Sequence, residues 1–196
     1  MQEYQPKTFA IPTIDGISEK TIETHLALYQ GYVTNLNTHY QKIKDLCAQE
    51  GDMMAAVSAL TRRIPFELAG VINHEQYFGA LEGGAKSLDS SGALGVLVQK
   101  QFGSFDGFIG AIQQTAAVMR GIGWVMVVYD STRKTLHIYW TVDHELGAVS
   151  LPTIVALDMW EHSYMLDHPP SEKGKYVEAY LRAINWQYVA QRFDSC

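Results

Sequence analysis

Residues 124–142 read WVMVVYDSTRKTLHIYWTV, and this stretch decides the fold class. Two runs rich in β-branched and aromatic residues, Trp124–Tyr129 and Leu136–Val142, flank Asp130-Ser131-Thr132-Arg133-Lys134. That composition predicts two strands joined by a tight hairpin turn. A third apolar run, Thr153–Leu157, is a candidate for a further strand.

Upstream the pattern has a helical period. From Ser18, a good N-cap, the residues Ile22, His25, Leu26, Tyr29, Tyr32, Val33, Leu36, Tyr40, Ile43 and Leu46 recur at steps of three and four. Gly51 is a plausible stop. A second helix is expected from about Met53 to Leu81, broken or kinked at Pro65 and ended by Gly83 and Gly84. Small polar residues at 86–92 suggest a linker. Helices follow at about 92–101 and 105–119, the second capped by Ser104, and one more near 173–192. Helices first, then helices with a short antiparallel meander, make an α+β chain rather than an alternating nucleotide-binding fold. The expected units are a helical hairpin over 1–85, with residues 1–17 as an extended arm, and an α/β lobe over 86–196.

The bulk numbers exclude some functions. The 196 residues are 47% apolar and 18% charged, with net charge −6, which gives no support to a nucleic-acid partner. An anionic substrate would need a local positive patch. Two cysteines, Cys47 and Cys196, are too few for a disulfide scaffold and read as free thiols. Neither a signal peptide nor an apolar run of 18 residues is visible, so a cytoplasmic protein is the expectation.

Chemistry has to come from combinations of the seven histidines with carboxylates. Asp158-Met159-Trp160-Glu161-His162 is the strongest local feature. An Asp and a His separated by three residues can meet on one face or across a turn and suit a first-row metal. The same Asp, following the apolar run 154–157, also reads as a helix N-cap. His74 lies on the apolar face of the second helix, and His25 shares a face with Ile22, Tyr29 and Tyr32. Three imidazoles and one carboxylate would suit iron or manganese better than zinc.

The chain resembles the iron/manganese superoxide dismutase family over nearly its whole length. The matching pieces are Ser18–His25, Tyr32–Asn37, Asn73-His74, Gly103–Asp106, Gly121–Trp124, Asp158–His162 and Ile184–Trp186. The resemblance implies a helical hairpin and a lobe with a three-stranded antiparallel sheet, with one iron or manganese ion between them. It implies His25, His74, Asp158 and His162 as ligands, a bound solvent, and disproportionation of superoxide to dioxygen and hydrogen peroxide. It implies Tyr32 as a gateway tyrosine and His144 in the place where many members hold that solvent with glutamine. Trp124 and Trp160 would wall the site. Glu161 would reach His162 of a second subunit, implying a homodimer or a tetramer. Lys173 stands near the place of an anion-attracting arginine.

The departures from the family pattern are specific. His25 and Tyr32 are seven residues apart, one fewer than usual. Two helical turns cover about 7.2 residues, so the pair still shares a face. Counting back from Tyr32 instead places Thr24 at the ligand position and leaves a two-histidine, one-carboxylate set, the site of a different iron enzyme. Leu28 and Met165 replace a histidine and a tyrosine that usually pair across the dimer, which motivates a non-catalytic relative as a further alternative. Phe78 and Met126 replace tryptophans. Gly70 resembles manganese-using members, whereas histidine at 144 occurs more with iron or with members that accept either metal.

Overall fold

Ser18 starts the first helix by accepting a hydrogen bond from Thr21 N on its side chain. In the computed structural model, which describes residues 3–144 and 151–196, this helix, α1, runs over Glu19–Cys47. It is uninterrupted, with no bulge between His25 and Tyr32. The chain turns through residues 48–53, with Gly51 at φ 110°, and returns as α2 over Met54–Gly79. The α1–α2 hairpin is therefore as expected.

Pro65 does not break α2. Proline removes one backbone hydrogen bond, to the carbonyl four residues back. Both Pro65 and Thr61 are exposed, so the freed carbonyl is left to solvent. Gly83 and Gly84, at φ 72° and 78°, turn the chain after α2.

Two shorter helices follow, α3 (Ala93–Phe102) and α4 (Phe105–Val118), the latter capped by the Ser104 side chain on Gly107 N. Strands β1 (Trp124–Asp130), β2 (Thr135–Thr141) and β3 (Thr153–Asp158) form an antiparallel sheet in the order β2-β1-β3. Asp130 closes the hairpin turn by accepting Arg133 N at 2.9 Å and the Arg133 guanidinium at 2.8 Å. Central β1 is almost wholly buried and puts Trp124 opposite Asp158 at the end of β3. The fold is α+β, as expected.

The single C-terminal helix expected near 173–192 is instead two: α5 (Lys173–Ala183) and α6 (Trp186–Asp194). Asn185 makes the break. Its Oδ1 accepts Tyr188 N, its Nδ2 donates to Glu82 O, and its backbone N donates to Ala80 O at 2.7 Å. The tether to the end of α2 outweighs continuation of a helix.

The N-terminal arm lies along the hairpin: Tyr4 and Asn37 exchange hydrogen bonds, and Lys7 N donates to the Tyr29 hydroxyl. The first two residues of the expected arm lie outside the described residues. Among the described residues, no helix is long and apolar enough to cross a membrane.

Candidate metal centre

Four side chains from four elements meet in the interior. α1 supplies His25, α2 supplies His74, β3 ends on Asp158, and the short 3-10 turn Glu161–Ser163 carries His162. Their candidate ligand atoms all lie within 4.8 Å of one another. The Asp158 Oδ2 atom is 3.1 Å from His25 Nε2, 3.1 Å from His162 Nε2 and 3.6 Å from His74 Nε2. His25, His74 and Asp158 are fully buried, and the His162 side chain keeps 18% of its surface. His25, not Thr24, joins the other three, so the two-histidine alternative does not describe this site.

Each donor is aimed by its surroundings. Asp158 is no helix cap: its Oδ1 accepts Trp160 N at 2.8 Å, turning the chain so that Oδ2 faces the histidines. Its backbone carbonyl takes the Tyr176 hydroxyl at 2.7 Å, and the Tyr77 hydroxyl lies 3.2 Å from the Tyr176 hydroxyl oxygen. His74 Nδ1 bonds the Gly70 carbonyl at 2.6 Å. A carbonyl only accepts, so the His74 proton sits on Nδ1 and the bare Nε2 points inward. That buried Nε2 has no hydrogen-bond partner among the described residues.

The electrostatics say what is missing from such a set. Burial alone would raise the Asp158 carboxyl, but the charges and hydrogen bonds of His162 and His25 outweigh it and hold it far below the usual carboxylate range. Burial pushes His74 well below its ordinary value, and the His25 ring beside it adds to the effect. Burial also lowers His25, against the pull of Asp158. The result is a carboxylate and unprotonated imidazoles crowded in a dry space. Lone pairs converging there need a cation other than a proton. Three nitrogens and one oxygen fit iron or manganese. Among the described residues no other histidine, cysteine or carboxylate cluster of this kind occurs.

A second layer covers the open side. Trp124 donates its Nε1–H to His144 Nδ1 at 2.9 Å, and His144 Nε2 lies 2.7 Å from the Tyr32 hydroxyl. Indole can only donate, so the neutral His144 ring carries its proton on Nε2 and gives it to Tyr32. The Tyr32 O–H is thereby free to donate elsewhere. Burial lowers His144 to about 4, which keeps the ring neutral, and burial with the Asp158 charge pushes Tyr32 up to about 12. Trp160 stacks on His144 at 4.9 Å and 9°. Gly70 permits the approach of Tyr32: a Cβ there would sit 2.6 Å from its ring. Gly123, at φ 140°, lets β1 begin where a Cβ would strike the Thr141 carbonyl.

Of the remaining sequence candidates, Lys173 is half-buried and donates its Nζ to the Met119 carbonyl at 2.7 Å, and Glu161 is exposed beside His162. Leu28 and Met165 are both exposed. Sequence reasoning missed Tyr176, Phe66 and Asp167. Asp167 Oδ2 accepts both Ser18 N and the Thr21 hydroxyl, tying the His162 loop to the start of α1. Phe66 packs on His144 at 4.7 Å. No local spacing marks these residues; they matter through contacts with distant chain.

The comparisons with known proteins agree with this geometry. A family-level sequence model described as iron/manganese superoxide dismutases, C-terminal domain, matches residues 90–192. A superoxide dismutase [Fe] of Pyrobaculum aerophilum is 31% identical, the match covering 87% of this chain and 80% of that protein. A superoxide dismutase [Mn/Fe] of Propionibacterium freudenreichii is 32% identical over 91% of this chain and 89% of its own length. A superoxide dismutase [Mn] of Corynebacterium diphtheriae is 31% identical over 96% and 98%. With a four-donor site drawn from both ends of the sequence and relatives that match along most of its length, the chain belongs to the iron/manganese superoxide dismutase family.

Proposed function

We propose that this protein disproportionates superoxide, two anions and two protons giving dioxygen and hydrogen peroxide. The observation that carries the reading is the convergence of His25, His74, Asp158 and His162 within 4.8 Å. An iron or manganese ion held by these four residues supplies one-electron oxidation and reduction of successive superoxide anions. The three relatives above are named for iron, for manganese and for both, at nearly equal identity. That pattern favours a site open to either metal.

The chain's own residues supply orientation and proton supply. Asp158 keeps its negative charge and fixes the charge balance of the pocket. His144, held by Trp124, orients the Tyr32 hydroxyl, whose free O–H is the proton donor nearest the open side. Trp160 covers His144 and limits water entry. Lys173, pinned on the Met119 carbonyl, is a fixed positive charge for the incoming anion.

The experiment is metal analysis and superoxide consumption on the same purified sample, expressed with iron and with manganese. Near-stoichiometric metal with fast dismutation is expected. Stoichiometric metal without dismutation would favour the non-catalytic relative, in line with the altered Leu28–Met165 pair.

The finer reading is a cytoplasmic homodimer built from a hairpin over 1–85 and a lobe over 86–196. Exposed Leu28, Met165 and Leu166 beside exposed Glu161 and partly open His162 support a subunit interface there. Glu161→Ala is expected to raise the monomer fraction in sedimentation at low concentration. An unchanged profile would remove Glu161 from the interface.

A further inference from the structure

One turn of α2 before Gly70 lies a second buried carboxylate. The Glu67 side chain is 4% exposed, while its partner Arg63, one turn earlier, is 49% exposed. Arg63 Nε donates to Glu67 Oε1 at 2.9 Å. The guanidinium carbon also sits 3.6 Å above the centre of the Phe66 ring. Phe66 in turn packs on His144 at 4.7 Å and on Tyr32 at 6.0 Å between ring centres. Arg63 thus stands one aromatic ring away from the histidine–tyrosine pair that faces the site.

An arginine present only to neutralise Glu67 would serve best with a two-toothed grip on both oxygens. The contact here is single and through Nε. Glu67 Oε2 is buried with no partner, and no partner takes the Arg63 Nη groups, among the described residues. Carboxylate on one side and aromatic face on the other fix a planar fork whose outer nitrogens are free to meet an anion. Such fixing lowers the entropy lost on contact. A chain of net charge −6 repels a diffusing anion as a whole, so local positive charge at the mouth has to overcome that field.

We propose that Arg63, held by Glu67 and Phe66, guides the substrate anion toward the site past the hydrogen-bonded Tyr32–His144 pair. This rests on the dismutase reading. It adds a cation on the helical hairpin to Lys173 on the other side of the fold.

The sign of the salt dependence tests it on the unaltered enzyme. Screening should slow the metal-loaded protein if Arg63 guides the anion, and speed it if net repulsion prevails. At low ionic strength Arg63→Gln should lower kcat/KM and weaken azide binding, read from the metal's visible spectrum, by about three- to tenfold. It should also flatten the salt dependence. Arg62→Gln loses the same charge one residue away and should do neither. Arg63→Lys keeps the charge and the neutralisation of Glu67, and should keep the salt slope even if the glutamine variant folds poorly. Equal shifts in Arg62→Gln and Arg63→Gln would reduce the effect to net charge and overturn the proposal. So would a wild-type rate that rises with salt. A metal-loaded wild type that binds azide but consumes no superoxide would overturn the functional reading alone, with the azide comparison still deciding Arg63.

Discussion

Two of the buried carboxylates, Asp158 at the end of β3 and Glu67 on α2, are held in different ways. Oδ1 of Asp158 accepts a backbone N–H, and Oδ2 lies 3.1 Å from Nε2 of both His25 and His162, inside the donor cluster. Glu67 has one oxygen on an exposed arginine and the other bare among the described residues. Burying a charge is costly unless it is paired, and costlier with each unmade contact. The inner pocket is therefore closed around a fixed charge arrangement, one that selects an ion. The outer rim is half in water, one good contact suffices there, and residues can differ without loss of the fold. Leu28 and Met165 are likewise exposed, and the polar pair that the family resemblance implies there is absent at both ends together, so neither end leaves a polar group stranded.

The contrast can be broken most severely at the pocket. His74→Ala removes a donor whose Nε2 has no other role, and metal binding should weaken by more than about 100-fold, the upper range for merely supporting residues. Metal analysis after dialysis checks it; full occupancy would show that the pocket is assigned wrongly.

Acid sharpens the same contrast. In the metal-free protein the lowered His25 and His74 favour the neutral form on folding. A group depressed in the folded state contributes its stability above its unfolded value of 6.5, and loses it as pH falls below that. The loss on going to pH 5 should be larger for His74, the more strongly lowered of the two, than for His25. Asp158, also depressed, keeps its contribution until pH falls through the range below its ordinary 3.8. Denaturant unfolding of chelated protein from pH 7.5 to 5 should show a steep decline, and bound metal should suppress it. A flat profile would mean that the histidines are not buried neutral.

The smallest effect belongs to the layer between pocket and rim. Gly70→Ala places a methyl against the Tyr32 ring, and overpacking of this kind costs about 1–3 kcal/mol. Urea unfolding reads that cost. Displacement of Tyr32 from His144 should accompany it, seen as a changed tyrosine titration.

The sequence made the long helices, the hairpin turn and the three strands of the C-terminal lobe legible, because period, capping and turn composition are local properties. The strand order was not legible, since the expected meander gives way to a sheet with β1 at its centre. The break at Ile184–Asn185 was illegible for the converse reason. No proline or glycine marks it, and Asn185 stops the helix through hydrogen bonds to residues about a hundred positions away. Pro65 shows the opposite error, a strong local breaker overridden on an exposed helix face. At the site, the donor types could be read from the residues and their grouping only from the family pattern. His25 and Asp158 have no shared spacing to read. Arg63, Glu67 and Phe66 looked like an ordinary amphipathic helix until the mouth was assembled.

That separation has a consequence for biosynthesis. His25 and Asp158 are 133 residues apart. The helical hairpin leaves the ribosome with two imidazoles and no carboxylate to join them, an incomplete cage for any ion. Only when β3 has docked and Asp167 has latched onto the start of α1 does the full cage exist. A complete cage thus requires long-range docking of the chain, and the ions available in the cell when it closes have a say in which one is trapped.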